Sequence, residues 1–193
     1  MNKYMKLALK EAAKAEKRGE IPVGVVAVLK GEVIAKAHNE VITKNDPSAH
    51  AEILVLKKAA KKLGNYRLNE LEIFVTKEPC LMCIGAMVNA RIKKLYFGAY
   101  DPIRGGVDVY YRYFEKFNHH FEVEAELERE ECEKILKDFF KKRRGTEVVV
   151  TGSTRNRFSG DEPGRGFESL PLRQKKLNDK KKLKYKRRGV RVA

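Results

Sequence analysis

Nowhere in the 193 residues is there an apolar run of the roughly 20 residues that a bilayer span requires. No membrane segment is therefore expected. From Met1 to Gly19 charged and apolar residues alternate, without the apolar centre of a signal peptide. Cysteine is scarce: three residues, two of them in Cys80-Leu81-Met82-Cys83. So few thiols make a poor disulfide framework and suit a metal site in a reducing compartment, which points to the cytoplasm. Acidic residues are also in deficit, with 26 Asp+Glu against 42 Lys+Arg and a formal net charge of +16. The imbalance is uneven: residues 146–193 hold 14 Lys+Arg against 5 Asp+Glu, the preceding 145 residues 28 against 21. Even the first part is basic enough to favour a polyanionic partner through counterion release, although a merely solvated basic surface would look the same.

The chain length fits one ordinary domain with a tail, and a hydrophobic share of 42% is enough for a real core. Tyr4, Leu7, Ala8, Glu11, Ala12 and Ala15 recur at helical spacing up to Gly19. Val23 to Leu29 and Val33 to Ala37 read as strands joined at Lys30-Gly31, and Asn39 to Ala49 as a loop. A helix is expected from His50 to Leu63, strands at Leu71–Thr76, Lys94–Gly98 and Phe121–Ala125, and helices at Leu81–Ala90 and from about Glu128 to Arg144. This order predicts a three-layer α/β/α domain with a central mixed five-stranded sheet over residues 1–145. Beyond Arg144, Glu147 to Thr151 suggests one more short strand. The rest of 146–193 is basic, low in complexity and expected to be disordered, with nine lysines and arginines among the fifteen residues 174–188.

Two short segments carry the chemistry: Asp46-Pro47-Ser48-Ala49-His50-Ala51-Glu52 and Glu78-Pro79-Cys80-Leu81-Met82-Cys83. His50, Cys80 and Cys83 supply an imidazole and two thiolates, a three-ligand set that suits Zn²⁺ with a fourth position open to water. Glu52, two residues beyond His50, is not needed as a ligand and is placed to shuttle protons. The i, i+3 spacing puts both sulfurs on one side of a helix start, where free N–H groups stabilise thiolate. Pro79 suits the entry to that helix because its missing N–H needs no partner there. A Cys-x-x-Cys alone would equally serve a redox or structural metal site, but that leaves the His-x-Glu unexplained. Cys132, mid-helix between glutamates, reads as a buried inert thiol rather than a fourth ligand.

The joint pattern, His-x-Glu followed by Pro-Cys-x-x-Cys, is the signature of zinc deaminases acting on nucleobases. Over roughly residues 3–144 the chain resembles the bacterial tRNA-specific adenosine deaminases, of the cytidine deaminase-like fold. The likeness rests on these two blocks and on Ile21-Pro22-Val23-Gly24, Ala37-His38-Asn39, Asn65-Tyr66-Arg67-Leu68, Phe97-Gly98-Ala99, Asn118-His119 and Asp138 to Arg144. It implies conversion of a wobble adenosine to inosine, one Zn²⁺ per subunit on His50, Cys80 and Cys83, and Glu52 as proton shuttle. Asn39, Ala51, Glu78, Pro79, Asn118, His119, Phe140, Arg143 and Arg144 would bind substrate, namely the anticodon stem-loop of a tRNA held by a homodimer. A free-base or nucleoside deaminase of guanine or cytosine type is the alternative within this chemistry, and an inert zinc fold that only binds nucleic acid is the alternative outside it. Two departures stand out. Lys77 replaces the more frequent leucine before Glu-Pro-Cys, and Tyr100 to Tyr113 replaces a loop of small residues. Tyr110, Tyr111 and Tyr113 there suit either stacking on splayed bases or packing at the domain edge.

The family does not carry residues 146–193. They read either as an arm adding salt-sensitive affinity for RNA or as translated tRNA-gene sequence. Gly166-Phe167-Glu168-Ser169 can be encoded GGG-TTC-GAG-TCC, which contains the T-arm string of tRNA genes. Leu170 to Gln174 permits an acceptor strand ending in CCA, which on this reading belongs to a serine tRNA. Sequencing the gene decides between them: the second reading requires codons 150–174 to fold as part of a cloverleaf, and a sequence without paired T-arm and acceptor strands leaves the RNA-binding arm.

Overall fold

The computed structural model describes residues 1–150 and 191–192. Helix α1 (Lys3–Lys17) starts where the Asn2 side chain accepts hydrogen bonds from the N–H groups of Tyr4 and Met5, at 2.9 and 3.3 Å. It buries Met5, Ala8, Glu11, Ala12 and Ala15 along one face. The chain then forms β1 (Gly24–Leu29), β2 (Glu32–His38), the short helix α2 (Val41–Lys44), α3 (Ala51–Leu63), β3 (Leu71–Lys77), α4 (Leu81–Ala90) and β4 (Lys94–Ala99). It continues through α5 (Val107–Arg112), one 3-10 turn (Phe114–Lys116), β5 (Glu122–Ala125), α6 (Arg129–Val150) and β6 (Arg191–Val192).

The sheet order is β2-β1-β3-β4-β5-β6, with β1 antiparallel to both neighbours and β3 through β6 parallel. This is the expected mixed sheet of five strands, extended at one edge by the two residues of β6. Because strand side chains alternate between faces, the sheet divides two cores. Val25, Ala27, Ile73, Val75, Leu95 and Phe97 face α3, α4 and α5, whereas Val26, Val28 and Phe74 face α1 and α6. Helix α1 lies so close to β1 that a Cβ on Gly24 would stand 2.0 Å from the Ala8 carbonyl oxygen, so only glycine fits. On the same face Cys132 is fully buried with its sulfur against Gly98, and burial pushes its thiol up to about 12, as suits an inert side chain.

Three expectations change. Residues 41–44, inside the expected loop, form one helical turn, whose Thr43 N–H donates to the Glu20 carboxylate. The loop after β4 contains α5, too short for its period to stand out in the sequence. The strand expected from Glu147 is helix as far as Val150, so the boundary expected near 145 falls inside α6. The β preference of a valine run depends on having a sheet neighbour, whereas extending a helix already nucleated costs little. Thr151, the Gly166–Gln174 segment and the 174–188 run lie outside the described residues. Among the described residues, no helix is long and apolar enough to cross a membrane.

Glu11 is buried under α1, where Lys14 Nζ donates to it at 2.7 Å and His38 Nδ1 lies 3.1 Å away. Burial pushes its carboxyl up, but these contacts outweigh burial and hold it below the ordinary 4.5. A carboxylate lowered on folding stabilises the protein above its unfolded pKa, and that contribution is lost as pH falls through the folded value. We therefore expect Glu11→Gln to lower the melting temperature at pH 7, and the gap from the parent to shrink as pH falls below about 4.5. Melting curves from pH 7 to pH 3 check this.

Candidate functional site

The residues singled out by the two motifs meet where α3 and α4 begin. Asp46 accepts from both the N–H and the hydroxyl of Ser48 at 2.7 Å, and this turn delivers the chain to His50. His50 is the N-cap of α3 and Cys80 the N-cap of α4, both with extended backbone, and neither side chain caps its own helix. Both are turned into the site instead. Cys83, fully buried in the first turn of α4, completes the group.

The three donor atoms form an equilateral triangle: His50 Nδ1 is 3.6 Å from each sulfur, and the sulfurs are 3.6 Å apart. Ligands about 2.0–2.3 Å from a tetrahedral centre stand roughly 3.5–3.8 Å from one another, so the triangle is the size of one face of a zinc tetrahedron. The donor set, one imidazole and two thiols, is of the kind zinc prefers. The hydrogen bond between Cys80 and Cys83, with His50 alongside, outweighs burial and brings the Cys80 thiol down to about 4. The same contact and burial push Cys83 upward. One thiolate beside an imidazole is thus easily formed. His50 is raised by its contact with Cys80, against burial.

Glu52 lies in the first turn of α3, 4% exposed, within hydrogen-bonding reach of Cys83. Burial holds its carboxyl above the usual range. Such a group takes up a proton more readily than an exposed glutamate, as a proton shuttle requires.

Around this centre the motif residues fall into three groups. Ala51, Glu78 and Pro79 are buried next to the ligands in sequence. Asn39 is also buried, just past β2, with its Nδ2 donating to Glu20 Oε2 at 3.1 Å. Glu20 is fully buried, and because a carboxylate only accepts, it fixes which end of the Asn39 amide faces it. Phe140, Arg143 and Arg144 are exposed at the far part of α6. There Arg143 Nη2 donates to the Gly19 carbonyl at 3.0 Å, one residue from Glu20. Asn118 and His119 are not brought to the triangle within this chain. They precede β5 at the amino end of β4, where His119 Nε2 contacts the Ile92 carbonyl at 2.8 Å, whereas the triangle lies beyond the carboxyl end of β3.

Of the loop tyrosines, Tyr110 is fully buried, stacked on Phe121 at 4.5 Å and donating to the Phe121 carbonyl at 3.2 Å. Packing claims it. Tyr113 remains 46% exposed. Sequence reasoning missed Glu20 and Asp101 and gave Lys77 no role. Glu20 follows a helix-ending glycine and has no signal of its own. Lys77 and Asp101 form an ion pair that only the register of β3 with β4 brings together.

Comparison with known proteins follows the same outline. Residues 1–144 match the family model described as MafB19-like deaminase. The tRNA-specific adenosine deaminase of Bacillus subtilis is 48% identical over 143 residues, covering 73% of this chain and 89% of that protein. That of Aquifex aeolicus is 43% identical over 143 residues, covering 73% and 94%. A solved structure from work on A-to-I editing by tRNA:A34 deaminases at the wobble position superposes with a TM-score of 0.66 and 44% identity, over 69% of this chain and 98% of that one.

Proposed function

The chain belongs to the tRNA-specific adenosine deaminase family, and on that premise we propose that it hydrolyses the 6-amino group of a wobble adenosine in a tRNA anticodon, leaving inosine and ammonia. The observation that carries the site assignment is the 3.6 Å triangle of His50, Cys80 and Cys83 with buried Glu52 against it. His50, Cys80 and Cys83 would hold one zinc ion per subunit, which would supply the Lewis acidity that brings the pKa of a water to about 7. Glu52 takes the proton of the attacking water and delivers it to the neighbouring ring nitrogen. It then takes the remaining proton from the newly formed hydroxyl and passes it to the departing amino group, so that the C–N bond breaks, ammonia leaves and the new C–O bond becomes the carbonyl of inosine. The burial that raises its pKa suits both halves of this exchange. The target base must leave its stack to reach a buried site. Asn39, fixed by Glu20, hydrogen-bonds the flipped base, and Ala51, Glu78 and Pro79 shape the pocket.

Phe140 and Arg144, exposed at the end of α6, contact the stem-loop, with Arg143 shared between RNA and the Gly19 carbonyl. Asn118 and His119 lie at the other end of β4, which suits an RNA held across a homodimer better than one held by a single chain. Leu81 and Met82, 52% and 42% exposed on the first turn of α4, give such a dimer an apolar contact beside the site.

Three expectations follow. Purified protein forms inosine on an anticodon stem-loop with a wobble adenosine but leaves free adenosine, guanine and cytosine untouched. Glu52→Ala lowers kcat on the order of 10²–10⁴-fold while stem-loop Kd and zinc content stay at parental values. Turnover of a free base alone would overturn the substrate and keep the site. Sedimentation equilibrium is expected to give twice the 22.1 kDa chain mass, and Leu81→Glu to bring it down to that of one chain.

A further inference from the structure

Lys77 and the 101–106 loop touch each other. Lys77 is the last residue of β3, paired in register with Ala99 at the end of β4, and Asp101 follows two residues later. The Lys77 ammonium pairs with Asp101 Oδ2, and the two side chains are 28% and 8% exposed. The other Asp101 oxygen accepts from the N–H groups of Ile103 and Arg104, both at 3.0 Å, so this one carboxylate shapes the loop and ties it to β3. The loop in turn lies on the segment that leads into Cys80. Asp101 N–H donates to buried Glu78 Oε2 at 3.0 Å, Gly106 N–H donates to the Pro79 carbonyl at 2.8 Å, and Cys80 and Gly105 form an isolated antiparallel bridge. Contact is so close that a Cβ on Gly105 would stand 2.3 Å from the Glu78 carboxyl carbon.

We propose that the Lys77–Asp101 pair is a latch: it fastens the 101–106 loop over Glu78-Pro79-Cys80 and so keeps Cys80 in place against His50 and Cys83 for metal. Lys77 and Asp101 are positioning residues. They act on the metal through the backbone of the segment they clamp, in the way that partners beyond a metal's own ligands fix ligand geometry. The inference rests on the metal reading above. A competing role exists for Lys77, because its charge also acts on His50 and Glu52.

The two roles differ in sign. Loss of a nearby positive charge favours a bound cation and loss of a negative one disfavours it. A pure field effect therefore makes Lys77→Met hold zinc more tightly and Asp101→Asn less tightly. A latch makes both release it faster. The experiment measures transfer of zinc from the full-length protein to a chromogenic chelator. The latch predicts release roughly 10-fold or more faster in each variant, a double variant no faster than either, and parental release in Lys77→Arg, which keeps the pair. A second readout needs neither metal nor substrate: trypsin cleavage after exposed Arg104 accelerates in Lys77→Met and Asp101→Asn and not in Lys77→Arg. Opposite signs in the two single variants, or parental release and cleavage in both, would overturn the latch. Parent protein that holds no zinc would overturn the metal reading instead, and the cleavage arm would then judge the latch as a loop fastening alone.

Discussion

Two helix N-termini must converge on one point, and the rest of the structure is arranged so that they do. Strands β2 and β3 run parallel with β1 between them, and β3 and β4 are parallel neighbours. Each parallel pair needs a crossover helix, which returns antiparallel to the strands. α3 and α4 are those crossovers, and both lie on the same face of the sheet. Their N-termini therefore open side by side beyond the carboxyl ends of β2 and β3. Capping residues whose side chains are not used for capping then supply two corners of the triangle, His50 from one helix and Cys80 from the other. The positive ends of two helix dipoles meet there, which favours thiolate and whatever negative charge develops in a reaction.

This convergence also sets the electrostatic balance. Two sulfurs and a buried carboxylate are concentrated within a few ångströms of an imidazole. In water-poor surroundings such a group of potential anions is unfavourable unless protons or a cation compensate. The helix ends supply part of that compensation at no conformational cost, and the latch ion pair sits just outside with no net charge. Geometry is thus fixed by neutral means, through backbone contacts of the 101–106 loop, while charge is kept for the reacting centre.

Much of this was legible in the sequence because each feature has a local cause. The i, i+3 spacing of Cys80 and Cys83 requires only that a helix begin there, and Pro79 marks the start. His50 and Glu52 both reach the site because α3 opens at Ala51, leaving His50 extended as its N-cap and Glu52 in its first turn. Strands with five successive buried residues, as in β1, show as continuous apolar runs. What could not be read depends on tertiary register. Asn118 and His119 form a motif, yet nothing local indicates that they lie at the opposite end of β4 from the triangle. The fate of the tyrosines was undetermined for the same reason: Tyr110 is claimed by Phe121, eleven residues on, whereas Tyr113 is not. Glu20 escaped notice because a glutamate after a helix-ending glycine is ordinarily solvated, and only the fold buries it.

Glu20 also shows how the two faces of the sheet share the task. The α3 and α4 face carries the His50, Cys80 and Cys83 triangle, and the α1 and α6 face carries Arg143 beside the end of α1. Between them the connection is short. Arg143 at the end of α6 binds the Gly19 carbonyl where α1 ends, and the next residue, Glu20, holds both Asn39 and the first turn of α2. A buried carboxylate is costly to desolvate, and an apolar residue would fill the space at lower cost. An apolar residue would leave the Asn39 amide free to rotate by half a turn, presenting a donor where an acceptor had been. Glutamine would accept as readily with its oxygen but would itself be ambiguous between its two ends. Of the side chains that fit, only a carboxylate accepts at every lone pair, and that property fixes which way the Asn39 amide turns.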